Sequence, residues 1–358
     1  MSKKPPHLPA ETCRVDTYYR LKNIKWFLFL IFMVALLSLA TSLSVVAWLS
    51  PSLVQVENYY PNIRQDGADI ANKKPDSFYQ KQAEQRILKI FDKRKKIEDF
   101  YLSDSQVMSA VLLSSDGWAV TYYPDYLSGA EKYWEIFDHQ GVYYLVDRVV
   151  YDDLSGFLYI KVPAEGMRVS SFVDWDQVNQ GQNYWSLSFS EWSAVQLGKK
   201  QLIGNKAGSI WRPRYYFSLI NLENEKSIFF GDQGKLLGFS NREGFLVPAW
   251  LVENQLNNLL EKQKIVYKSL SVSGYLVNGF WQKGEFFSDI YGFWVESSFW
   301  TIDNTKILPG DVILKIDGRD ILDQDIARQV LSLSDQFDVE VLRDGKKIDL
   351  TLEKQEIL

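Results

Sequence analysis

The sequence predicts a mainly β protein carried behind one membrane-spanning helix, and three observations predict it. Phe, Tyr and Trp make up 15% of the 358 residues, and aromatic side chains suit the pleated, half-buried surface of strands. From about residue 86 onward, short apolar segments alternate with Asp-Gly and Gln-Gly pairs, the residue types that supply the positive φ of hairpin turns. Near the N-terminus, residues 26–48 form an apolar run without a single charge, long enough as a helix to cross a hydrocarbon core of about 30 Å.

Composition narrows the function classes. The apolar content is 46%, and the chain has only 21 Gly and 11 Pro, so it is a packed protein and neither disordered nor collagen-like. Two His and one Cys are too few for structural zinc sites, iron–sulfur clusters or a disulfide framework. The formal net charge of −5 argues against non-specific nucleic-acid binding. No cofactor and no metal is expected.

Taken in order, residues 1–25 read as a cytoplasmic tail. Lys3, Lys4, Arg14, Arg20, Lys22 and Lys25 stand there against Glu11 and Asp16, and no Lys or Arg follows the apolar run until Arg64. The positive-inside bias therefore places the N-terminus in the cytoplasm and the remainder outside, in a cell membrane crossed once, with Trp26 and Trp48 at the two interfaces. A cleaved signal peptide has a shorter apolar region, about 7–15 residues, and a small-residue cleavage site; the exit at residues 45–49 lacks one. Cys13 stays on the cytoplasmic side, which leaves the exported body without cysteine. Residues 49–85, with Pro51, Pro61, Gly67 and Pro75, read as a stalk or linker, and a helix-compatible pattern runs from Ser77 to about Lys89. Lys93-Arg94-Lys95-Lys96 reads as a solvated turn.

Residues 86–262 then read as strands closed by one helix. Residues 111–113 and 118–121 flank the Asp116-Gly117 turn, residues 142–146 follow Gln140-Gly141, and residues 235–239 follow Gln233-Gly234. Residues 159–162 and 184–189 are further strands, and residues 249–262 carry leucines at helical spacing. A second unit, 265–356, has a strand at 311–316, an Asp317-Gly318 turn, an amphipathic helix at 323–333, and a hairpin of residues 337–342 and 348–352. The stretch 277–300 is unusually aromatic, a pattern of a partner surface or of packing against the first domain.

Several of these segments resemble one family. Leu308-Pro309-Gly310-Asp311-Val312-Ile313-Leu314-Lys315-Ile316-Asp317-Gly318, followed by a helix and an Arg-Asp-Gly hairpin, resembles bacterial PDZ domains. Ser114-Ser115-Asp116-Gly117 with the strand end Val120-Thr121, and Phe245-Leu246-Val247-Pro248-Ala249 before a helix, resemble HtrA/DegS-type serine proteases. The order agrees as well: anchor, chymotrypsin-like double β-barrel over 86–262, then a PDZ-like α+β domain over 265–356. The resemblance implies a serine endopeptidase ancestry, a homotrimer, and partners that are protein C-termini or unfolded polypeptides.

The family's Ser-His-Asp triad needs a base, an orienting carboxylate, a hydroxyl and backbone donors for the oxyanion. By resemblance, Pro124 in Thr121-Tyr122-Tyr123-Pro124 stands at the histidine, Gly156 at the aspartate, and Glu225 at the serine. Lys226 and Ser227 replace the two glycines that follow the serine in the family's motif. The set reads as degenerate, and the protein as one that binds without cleaving: a sensor, adaptor or scaffold. The alternative is a working extracytoplasmic serine endopeptidase with a relocated catalytic set. Lys226 beside Ser227 does not read as a Ser-Lys pair, because neighbours on a strand face opposite ways. His139 reads as solvated, Asp152-Asp153 as a turn, and residues 204–209 do not form a phosphate loop.

For peptide binding, the carboxylate loop of a PDZ domain corresponds by resemblance to Ser269-Leu270-Ser271-Val272, with Ser271 where the family has glycine. Ile326 and Val330 on the following helix line the pocket or face the core; the sequence leaves both open.

Overall fold

The computed structural model describes residues 26, 29, 31–34, 77–203, 207–222, 226–282, 285–298, 307–321 and 326–357. The chain divides into two units, Met1–Ala68 and Asp69–Leu358. In the first, Trp26, Phe29 and residues 31–34 are helical and exposed. The rest of the expected 26–48 span, the 1–25 tail and most of the 49–85 stalk lie outside the described residues. Among the described residues no helix is long and apolar enough to cross a membrane.

The second unit opens with helix α1 (Ser77–Glu84). The helical pattern expected to reach Lys89 stops there, because Ile87, Leu88 and Ile90 are drawn into strand β1 (Ile87–Asp92) and pair with residues 108–111. Long-range pairing overrides local helical preference at this point. Asp92 accepts the backbone N–H of Arg94 and caps the turn of Lys93–Lys95, which is exposed.

Strands β1, β2 (Gln106–Leu112), β3 (Trp118–Tyr122), β4 (Trp134–Phe137), β5 (Tyr143–Tyr144), β6 (Arg148–Asp152) and β7 (Phe157–Lys161) form an antiparallel sheet in the order β5-β4-β1-β2-β3-β7-β6. Alternation along the strands feeds two cores. Leu88, Ile90, Ala110, Leu112, Leu158 and Ile160 fill one; Val111, Trp118, Val120, Phe157 and Tyr159 fill another, shared with the second sheet. Apolar side chains are thus needed on both faces, which is why β7 reads as an almost unbroken apolar run. Gly117, at φ +99, closes the β2–β3 turn, and a Cβ there would sit 2.3 Å from the Val162 carbonyl oxygen, so only glycine fits.

The second sheet is built from β8 (Asn183–Ser188), β9 (Glu191–Leu202), β11 (Tyr215–Ile220), β12 (Ser227–Phe230), β13 (Leu236–Ser240) and β14 (Leu246–Pro248), in the order β11-β9-β8-β12-β13-β14. β10 (Gly208–Ser209), between β9 and β11, leaves this sheet for the third. Helix α2 (Trp250–Lys262) follows, burying Trp250, Leu251, Val252 and Leu259 and ending at Gln263 in the left-handed conformation, whose N–H returns to the Leu259 carbonyl.

The third sheet runs β10-β16-β17-β18-β20-β21, from β16 (Val272–Gln282), β17 (Glu285–Ser298), β18 (Val312–Ile316), β20 (Gln336–Arg343) and β21 (Lys346–Glu353). β19 (Arg319–Asp320) pairs with β18, and β15 (Lys268–Ser269) with β22 (Gln355–Glu356). Helix α3 (Ile326–Leu331) lies within the expected 323–333 helix, of which residues 323–325 are outside the described set. Asp344-Gly345 and Asp317-Gly318 all have positive φ, between 51° and 75°, as two-residue hairpin turns require. The aromatic 277–300 stretch is largely the long β16–β17 hairpin.

Candidate functional site

The first two sheets meet at a cleft of about 150 Å³ lined by Thr121, Tyr122, Tyr123, Pro124 and Asp125 from the end of β3, and by Lys226, Ser227, Ser240 and Arg242 from the opposite side. Three short-range facts place these groups. β3 ends at Tyr122, where pairing with Phe157 stops. The Tyr123 N–H then donates to the Gly156 carbonyl (2.9 Å), so residues 123–124 turn against the β6–β7 turn. Gly156 holds φ +80, and a Cβ built on it would lie 3.0 Å from the Tyr122 ring and 3.2 Å from the Pro124 Cβ. Pro124 and Gly156 are therefore in contact, and Tyr151 Oη donates to the Pro124 carbonyl at 2.7 Å.

Across the cleft, Ser227 opens β12 and is 2% exposed. Its backbone N–H donates to Ser240 Oγ at 2.8 Å, so that amide is engaged across the β12–β13 pair. Lys226 Nζ donates to the Val107 carbonyl at 3.3 Å. Arg242 and Asp125 form an exposed ion pair at the mouth, worth little in water. Burial raises the Tyr122 phenol above its ordinary value, so Tyr122 stays neutral at physiological pH. Among the described residues no histidine lines this cleft; His139 is exposed beside Gln140 and Glu165. Among the described residues no group of three or more His, Cys, Asp or Glu could hold a metal ion. Glu225 lies outside the described residues.

The residues singled out for peptide binding gather beside the third sheet: Val272 opens β16, Ser269 lies in β15, which pairs with β22, and Ile326 and Val330 are on α3. Leu270, Val272, Ile326 and Val330 are buried in one apolar core. Of the two placements the sequence left open for Ile326 and Val330, the structure gives the core. Ser269 is fully buried in β15, its Oγ without a hydrogen-bond partner, and Ser271 is half-buried.

One group escaped sequence reasoning. Asp152, read as part of a turn, is 3% exposed and accepts four hydrogen bonds: the N–H groups of Leu154 (3.1 Å) and Ser155 (3.3 Å), Ser155 Oγ (2.5 Å) and Tyr267 Oη (2.5 Å). It ties the β6–β7 turn, and with it Gly156, to the segment that enters the third sheet. Burial, and next the Asp152 charge, push the Tyr267 phenol far above the ordinary tyrosine value. The only local hint was a charged pair inside an aromatic strand end.

No protein-family model matches the chain, and no curated protein matches it. Solved structures do. The HtrA-type protease AlgW with a tripeptide superposes with a TM-score of 0.54 at 17% identity, over 79% of this chain and 97% of AlgW. AlgW with a decapeptide gives a TM-score of 0.52 at 18% identity, over 78% of this chain and 98% of AlgW. At this identity the likeness speaks for the fold, and it agrees with the sheets described above: the chain has the trypsin-like fold of the HtrA-type serine proteases.

Proposed function

We propose that this is a membrane-anchored, HtrA-like protein that binds polypeptides outside the cytoplasm and does not cleave them. One observation carries the reading: the cleft between the two sheets has Pro124 close against Gly156, faces Lys226 and Ser227, and is lined by no histidine among the described residues. Proline has no side-chain nitrogen that accepts a proton, and glycine has no carboxylate to orient a base. Glu225, at the nucleophile position by resemblance, would add a negative charge where an oxyanion develops.

Residues 26–48 serve in this reading as the anchor, with the N-terminus cytoplasmic and residues 86–262 and 265–356 as pseudoprotease and PDZ-like domains. The PDZ-like part takes extended C-termini by strand addition, its carboxylate loop at 269–272. That the AlgW structures were determined with peptides supports a peptide-binding role.

The test has two arms. The purified protein is expected neither to react with a fluorophosphonate probe nor to digest an unfolded protein; either activity would overturn the proposal and favour the relocated-site endopeptidase. Protease added to intact cells is expected to degrade residues 86–358. Their protection until lysis would overturn the topology.

A further inference from the structure

The edge of the third sheet where a peptide would add is not empty. β10 leaves the β9–β11 connection and pairs antiparallel with β16, Gly208 opposite Gly274 and Ser209 opposite Ser273. The Ile210 N–H continues the ladder to the Val272 carbonyl at 3.1 Å, and Arg214 Nη1 donates to the Gly274 carbonyl at 3.4 Å. Ile210 is fully buried and Trp211 is 7% exposed, in the same apolar core as Leu270, Val272 and Val330. Immediately afterwards the Arg212 N–H donates to the Ser209 carbonyl at 3.2 Å, a turn that carries the chain away. Beyond Gly274 the outer edge of β16 carries no strand among the described residues.

Polarity gives this contact its meaning. A peptide whose carboxylate meets the 269–272 loop must run antiparallel to β16, with its last residue nearest Val272. Residues 208–210 run in that direction, Ile210 stands beside Val272, and the turn at residues 209–212 replaces the free carboxylate. We propose that Gly208-Ser209-Ile210 is a built-in ligand occupying the peptide edge of the third sheet, and that external ligands bind by displacing it. The partner that fits is an extended C-terminus ending in an aliphatic residue preceded by small ones, because two small residues and a buried isoleucine are what the edge now holds. Released residues 208–212 would then free the segment between β9 and β11, so that ligand binding alters the second sheet's outer connection. The inference rests on the peptide-binding reading above.

The test uses the full chain in detergent and a fluorescein-labelled Lys-Ala-Gly-Ser-Ile peptide with a free C-terminus, copying residues 206–210. Apparent affinity is reduced by the fraction of protein in the closed state, so Ile210→Asp, which expels the internal strand, is expected to bind about tenfold or more tightly than the unaltered chain. Ser209 and Ser273 face each other in the ladder as a pair without mutual hydrogen bonds, with Cα atoms about 4.5 Å apart, within disulfide reach. In a Cys13→Ser background, Ser209→Cys with Ser273→Cys is expected to cross-link, to lose the peptide when oxidised and to regain it on reduction. Equal binding by the oxidised and reduced forms, or failure of the cysteines to cross-link, overturns the internal-ligand proposal while leaving peptide binding standing. Absence of binding by every form, Ile210→Asp included, instead removes the peptide-binding reading itself and this inference with it.

Discussion

Replacing Tyr267 with Phe isolates the hydrogen bond that joins the β6–β7 turn to the third sheet. The ring stays, so no cavity opens, and the change removes one of four donors from Asp152, a carboxylate 3% exposed. A hydrogen bond to a charged group contributes about 1.5–3 kcal/mol. For a body of this size each kcal/mol moves the melting temperature by about 2–4 °C, so the variant is expected to melt roughly 4–10 °C lower. The pH dependence adds a second signature. The folded Tyr267 phenol is held above its unfolded value by burial and by Asp152. Its contribution is therefore complete below the unfolded tyrosine value near 10 and is lost as pH rises beyond it. The gap between the two proteins should be flat from pH 6 to 9 and shrink above 10. Thermal melts of the full chain in detergent, followed by tryptophan fluorescence, measure both. A shift below 1 °C at pH 7 would refute the hydrogen-bond assignment.

Three further outcomes follow from the third sheet. Arg343 grips Asp311, which is 1% exposed, through two hydrogen bonds of 2.7 Å each; Arg343→Met should cost about 3–5 kcal/mol by stranding a buried charge, and Arg343→Lys less, as denaturant titration would show. Gly310 holds φ +91 with nothing within 4 Å of a built Cβ, so Gly310→Val should cost about 1–2 kcal/mol from backbone strain alone; an unchanged melting temperature contradicts the turn geometry. Burial lowers the Lys354 ammonium to about 8, so the unfolded chain binds more protons between about pH 8 and 10.5. Stability from this group should thus rise with pH across that window, and the rise should vanish in Lys354→Met when the two melting curves are compared.

How much of this was legible depended on whether the cause was local. Asp344-Gly345 and Asp317-Gly318 were readable as turns because positive φ is a property of those residues, whatever surrounds them. The helix after Pro248 was readable from its leucine spacing. Residues 87–89 were misread as helix because their strand state is imposed by residues 108–111, some twenty positions away. Pro124 and Gly156 were singled out by the order of motifs, but the approach of one to the other needed the fold. Asp152 and Ile210 gave almost no signal, since a partner 115 positions distant and a two-residue strand leave no periodicity to read.

The packing of Gly156 against Pro124 and Tyr122 constrains the path by which this cleft could change. Any side chain at 156 meets crowding at 3.0 to 3.2 Å and an unfavourable φ of +80, so one enters there only at the cost of backbone strain and of a shift in the Tyr122 ring or Pro124. Substitution at 156 is thereby coupled to what stands at 122 and 124. In related sequences, a residue larger than glycine at 156 is expected to come with a change at 122 or 124.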